Sequence, residues 1–224
     1  MNLALFDLDH TLLPTDSDHE WGRFLVRLGV VDEETYRRKN EEFYGQYKAG
    51  TLDIQAFLRF ALAPLAANPR DRLETWRKQF MREVIDPVIT PQARALVYKH
   101  LDAGDLCAVV TATNSFVTAP ITAAFGIKHL IATEPATANG QPDGAFTGEV
   151  AGLPSFREGK IARVEAWLKS MGTQWDAFET TTFYSDSAND LPLLEKVSEP
   201  IAANPDDRLR HHAAAAGWRI MDLF

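Results

Sequence analysis

The constraint that most narrows the fold is a recurrence of short apolar runs that end in polar residues. Residues 3–8 close on Asp7 and the following Asp9, residues 106–110 stop at Thr111, and residues 180–184 stop at Ser185 and Asp186. Runs of this length with a polar carboxyl end are the pattern of strands buried on both faces. Residues 130–132 and 201–203 are two weaker strand candidates. Helical periods separate them, as in Ile161, Val164, Leu168 and Met171 at offsets of 0, 3, 7 and 10. Strands alternating with helices predict an α/β fold, a parallel sheet with helices on both faces.

Residues 15–86 break the alternation, because they show helical periods and no convincing strand. Trp21, Phe24, Leu25 and Leu28 share one face with Gly29 as the stop. Ile54, Phe57, Leu58, Ala61, Leu62 and Leu65 share another behind a capping Asp53, and Leu73, Trp76, Phe80 and Val84 suggest a third helix. The apolar stripes read as core. The expected organisation is a discontinuous core of residues 1–14 and 87–224 with a helical cap domain at 15–86, placed as a lid over the ligand-binding end of the sheet. Asn139-Gly140 and Asp143-Gly144 carry turn chemistry, and residues 145–150 read as one strand of a small hairpin outside the main sheet.

Composition removes several function classes. With 46% hydrophobic and 24% charged residues, 224 residues suffice for one α/β domain with an insertion, or two small domains. A net charge of −8 without a basic run speaks against nucleic-acid binding. No stretch reaches the ~18 apolar residues of a membrane span, and the first residues lack the basic leader of a signal peptide. Cys107 is the single cysteine, so no intramolecular disulfide forms and a cytoplasmic setting is expected. The six histidines show no zinc-site spacing.

The chemistry concentrates at the strand ends. Asp7 and Asp9 lie one residue apart, and on a continuing strand they would share a face. Two carboxylates about 4 Å apart repel by roughly 4 kcal/mol at an effective dielectric of about 20, which calls for a cation or a shared proton. Asp186 adds a third oxygen donor, and such hard ligands suit Mg²⁺. Thr111, followed by Ala112, Thr113 and Asn114, suits a helix start whose free N–H groups bind phosphate. Lys160 opens an amphipathic helix, and the segment from Ser185 to Asp190 follows the third strand. Singly, Thr111 reads as a cap, Lys160 as a surface charge, and Asn189 or Asp190 as a helix cap.

Together and in this order the segments resemble the haloacid dehalogenase superfamily. Its four motifs are an Asp-x-Asp-x-Thr strand end, matched by Asp7, Asp9 and Thr11, then a Thr or Ser strand end, a Lys, and an acidic loop. The resemblance runs from Met1 to about Ala203 and points to the phosphoserine phosphatase-like branch, subfamily IB, with a helical cap between the first two motifs and a hairpin before the Lys. It implies a three-layer Rossmann-like core. It also implies that Asp7 attacks phosphorus, while Asp9 protonates the leaving oxygen and then deprotonates the hydrolytic water. Asp7 and Asp186, with the Asp9 carbonyl, would hold Mg²⁺. Thr11, Thr111, Ala112, Lys160 and Asn189 would surround the phosphate, with Asp190 in support. The chain departs from the branch at Ser185 and Ser187, where glycines are usual.

The expected function is Mg²⁺-dependent hydrolysis of a small phosphorylated metabolite, phosphoserine-like or histidinol-phosphate-like. A phosphotransferase on the same fold is the alternative. A phosphorylation-dependent receiver domain uses similar residues, but its phosphorylated Asp sits on a later strand. A nucleotide-cofactor oxidoreductase is discounted because no Gly-x-Gly-x-x-Gly follows the first strand. Asp16, just after the first motif, is the preferred substrate-specificity contact, with helix capping as the competing role.

Overall fold

The computed structural model describes residues 1–224. The first apolar run forms β1 (Leu3–Phe6), and four helices follow: α1 (Ser17–Arg27), α2 (Glu33–Ala49), α3 (Ile54–Ala66) and α4 (Arg70–Phe80). A π-helical turn, Met81–Ile85, and a short 3-10 turn lead to α5 (Pro91–Asp102) and β2 (Leu106–Asn114). Then come α6 (Ser115–Ala124), β3 (His129–Thr133), β4 (Pro135–Thr137), β5 (Phe146–Val150), α7 (Glu158–Ser170) and β6 (Thr181–Ser185). The chain ends with α8 (Leu191–Leu194), β7 (Glu199–Ala203), α9 (Asp207–Ala216) and β8 (Arg219–Met221).

Six strands form a parallel sheet in the order β3-β2-β1-β6-β7-β8, with Leu3 in register with both Leu106 and Thr181. The strand period of two sorts β1 between two apolar clusters: Ala4 and Phe6 join one, Leu3 and Leu5 the other. That division is the three-layer α/β architecture. Crossover helices on both faces bury β1 completely, which explains its unbroken apolar run.

The first cluster extends from the sheet into the inserted helices, taking in Trp21, Phe24, Leu62, Leu73 and Phe80. Trp21 meets Phe80 edge-on at 5.3 Å and Phe116 of α6 at 6.0 Å. The hairpin β4-β5 holds the insertion from another side: Arg70 donates to the Gly144 carbonyl at 3.3 Å and lies over the Phe146 ring. α1 is capped by Asp16, whose carboxylate accepts from His19 N, and α3 by Asp53. α2 escapes the sequence reading because only Tyr36 and Phe43 are buried along its 17 residues, too few to show a periodic stripe. No helix is long and apolar enough to cross a membrane.

Candidate active site

Asp7 follows β1 directly, its N–H held by the Tyr184 carbonyl of the neighbouring strand. Lys160, in the first turn of α7, reaches it from across the fold: Nζ is 2.8 Å from Asp7 Oδ1 and 2.6 Å from Asp190 Oδ2, and all three side chains are buried. Burial alone would favour a neutral lysine. The carboxylates of Asp190 and Asp7 outweigh it and hold the ammonium above its ordinary pKa. Burial lifts Asp7 to about 6, with Lys160 pulling it down and Asp190 pushing it up.

Thr11 is fully buried, and its Oγ1 is 3.2 Å from both Asp7 Oδ2 and Asp186 Oδ1. The Asp186 N–H donates to the same oxygen at 3.0 Å. One hydroxyl proton serves only one carboxylate at a time. Asp186 has no cation partner of its own, and burial, then Asp7 and Asp190, push its pKa well above the usual carboxylate range. A hard cation beside Asp7 and Asp186 would relieve that repulsion, so the donors fit Mg²⁺. No three or more His, Cys, Asp or Glu side chains form a metal cage. A Mg²⁺ that keeps several waters needs only one or two protein carboxylates.

Asp9 stands differently from the strand-face expectation. β1 ends at Phe6, the Leu8 carbonyl accepts from the N–H groups of Thr11, Leu12 and Leu13, and His10 takes a left-handed φ of 57°. Asn204 fixes this turn by donating to the His10 and Thr11 carbonyls. The turn separates the two carboxylates' partners: Asp9 accepts from Ser17 N and from Thr113 Oγ1, each at 2.7 Å. Burial, with Asp16 second, raises its pKa well above the ordinary value, favouring a carboxyl that carries a proton.

Thr111 lies within β2, which runs on to Asn114, and is buried with its Oγ1 accepting from Thr113 N at 3.2 Å. The helix start comes later than the sequence suggests, because Asn114 is the N-cap of α6. Ala112 is half-buried in the stretch where the β2-β3 register shifts. In the loop after β6, Ser185 Oγ donates to Asp190 Oδ2 at 2.7 Å and accepts from Ser187 N, so the serines are parts of the site. Arg157, three residues before Lys160, donates to Asn189 Oδ1, and Tyr47 of α2 donates to Ser187 Oγ. Neither carried a motif in the sequence, although the serine substitutions mark the place where both arrive.

Asp16 has its cap bond to His19 N at 2.9 Å. Asp18, in the first turn of α1, accepts from Asn114 Nδ2, and burial, then Asp16, raise its pKa to about 7. An apolar recess of about 270 Å³ between α1, α2 and α3 is lined by Asp18, Trp21, Tyr36 and Phe60 and by none of the four motif segments.

A family model for haloacid dehalogenase-like hydrolases matches residues 4–195. Histidinol-phosphatase of Neisseria meningitidis serogroup C is 46% identical over 99% of both chains. A crystal structure of a protein of unknown function from Bordetella pertussis Tohama I superposes with a TM-score of 0.93 at 53% identity, over 100% of this chain and 99% of that one. A phosphoserine phosphatase solved as a phospho-aspartyl intermediate analogue shares the fold, with a TM-score of 0.67 at 21% identity over 99% of this chain and 93% of that one. With Asp7 and Asp186 directly after β1 and β6, Thr111 in the last part of β2 and Lys160 reaching Asp7 from α7, this chain belongs to the haloacid dehalogenase-like hydrolase family and is one of its phosphatases.

Proposed function

We propose that the protein is a Mg²⁺-dependent phosphomonoesterase that works through an aspartyl phosphate on Asp7, with histidinol phosphate as substrate. The observation that carries the mechanism is Lys160 bridging Asp7 and Asp190 in a buried setting, which keeps one carboxylate ionised and aimed while a phosphate dianion approaches. Asp7 Oδ attacks phosphorus as the ester P–O bond breaks, and Asp9 gives its proton to the departing alkoxide. Asp9 then takes a proton from water as the water oxygen bonds phosphorus and the P–O bond to Asp7 breaks, returning the carboxylate. The Thr111 hydroxyl, the Ala112 N–H, Lys160 and Asn189 hold phosphoryl oxygens. Thr11 orients Asp7 and Asp186, and these two carboxylates with the Asp9 carbonyl would hold Mg²⁺. The ion, when bound, neutralises charge on the phosphate and carboxylates.

The substrate assignment rests on the 46% identity to the Neisseria histidinol-phosphatase over nearly all of both chains. Asp16 and Asp18 follow the first motif and supply carboxylates for the ammonium of such a substrate. The test is phosphate release from histidinol phosphate, phosphoserine, sugar phosphates and nucleotides, with and without Mg²⁺. A kcat/KM for histidinol phosphate at least about tenfold above the others, abolished by chelation and restored by Mg²⁺, is expected. A preference for phosphoserine would reassign the substrate, and full activity after chelation would remove the metal.

A further inference from the structure

Two polar links join the end of α2 to the core, and both converge on Asn189. The Tyr47 hydroxyl donates to Ser187 Oγ at 2.7 Å, and that oxygen accepts from Asn189 N at 3.2 Å and Nδ2 at 3.4 Å. Arg157 Nη2 donates to the Gly50 carbonyl at 2.6 Å, and its Nε and Nη2 donate to Asn189 Oδ1 at 3.3 and 3.1 Å. Both ends of the Asn189 amide are thus held by groups that also touch the inserted helices. A glycine at position 187 would leave Tyr47 without this partner.

The backbone is shaped for the second link. Gly50 closes α2 at φ 72°, a left-handed conformation that suits glycine. Arg157 has φ 50° and ψ −124°, a sparsely populated conformation for a residue with a Cβ, and persists there with its guanidinium bonded to Asn189 and Gly50. Elsewhere the insertion is fastened by apolar packing, as where Trp21 meets Phe116, together with polar contacts such as Arg70 on the Gly144 carbonyl and Asn114 on Asp18. At the α2 end the links to the core include the hydrogen bonds of Tyr47 and Arg157.

We propose that Tyr47 and Arg157 are positioning residues that make the orientation of Asn189 depend on docking of α2, so that the phosphate pocket is complete only when the inserted helices are closed on the core. This rests on the reading of Asn189 as a phosphate-pocket residue. Substrate in the pocket and Tyr47 on Ser187 then favour the same closed arrangement, and loss of the Tyr47 bond weakens substrate binding more than the chemical step.

A double-substitution cycle tests it on the whole protein. Amide hydrogen exchange over residues 46–51, measured without substrate, should quicken about fivefold in Tyr47→Phe and stay unchanged when the same substitution is made in Ser187→Gly. With p-nitrophenyl phosphate and Mg²⁺, Tyr47→Phe should raise KM about fivefold with kcat within about twofold of the starting protein, and again be silent in the Ser187→Gly background. Arg157→Lys, which keeps the charge and loses the fork, should raise KM in the same way. Equal effects of Tyr47→Phe in both backgrounds, or faster exchange with an unchanged KM, would overturn the proposal. Failure of the phosphatase reading would show separately as an unmodified protein inert toward every ester, and the exchange cycle would then still report the docking.

Discussion

The Lys160 ammonium stands 2.8 Å from the Asp7 carboxylate with both groups buried, and it donates to the Asp190 carboxylate as well, at 2.6 Å. Because Lys160 keeps one carboxylate when the other changes, the nucleophile can be altered without stranding the lysine.

Asp7→Asn is therefore expected to fold, with its melting temperature close to that of the unaltered protein, and to lose at least about a thousandfold in kcat. Phosphate release and thermal unfolding measured side by side check this. Activity within tenfold of the original would remove Asp7 from the nucleophile role.

Lys160→Met has the opposite profile, since it leaves Asp7 and Asp190 buried together with no cation. Breaking a buried pair on this side costs about 3–5 kcal/mol. For a chain of this size that corresponds to a fall in Tm of roughly 10 °C. Differential scanning calorimetry at pH 8, without Mg²⁺, is the measurement. A fall of under two degrees would show that the carboxylates are solvated or paired by another group.

Asp16→Ala separates capping from substrate contact. Loss of the bond to His19 N should cost about 1 kcal/mol of stability. If Asp16 also meets the substrate, kcat/KM for histidinol phosphate falls several-fold while that for p-nitrophenyl phosphate holds. Equal loss on both esters would assign Asp16 to the scaffold alone.

Asp18 gives a pH signature. Burial, then Asp16, raise its pKa from 3.8 to about 7, so the folded chain binds this proton more tightly than the unfolded one. The contribution is fully present below the unfolded pKa and is lost as pH rises from about 4 through about 7. Asp18→Asn should raise Tm by a few degrees at pH 8, on the order of 1–2 kcal/mol, and leave it nearly unchanged at pH 4. A gain of equal size at both pH values would show that desolvation of the carboxylate is not its source.

What the sequence determined by itself was local. The strands around Leu5, Val109 and Phe183 were legible as apolar runs, Asp53 stood where it caps α3, and the four motifs stood in order from Asp7 to Asp190. Such signals survive in one dimension because strand burial and helix capping act within a few residues. Tertiary structure alone decided the rest. It turned the chain at His10, so that Asp7 faces Lys160 while Asp9 faces Thr113. It carried β2 through Thr111 to Asn114, because pairing with β3 continues beyond the apolar run. It brought Lys160 to Asp7 across 153 residues and Tyr47 to Ser187 across 140. These contacts form only when the sheet and the inserted helices pack on one shared apolar cluster, a long-range burial that no residue's near neighbours encode.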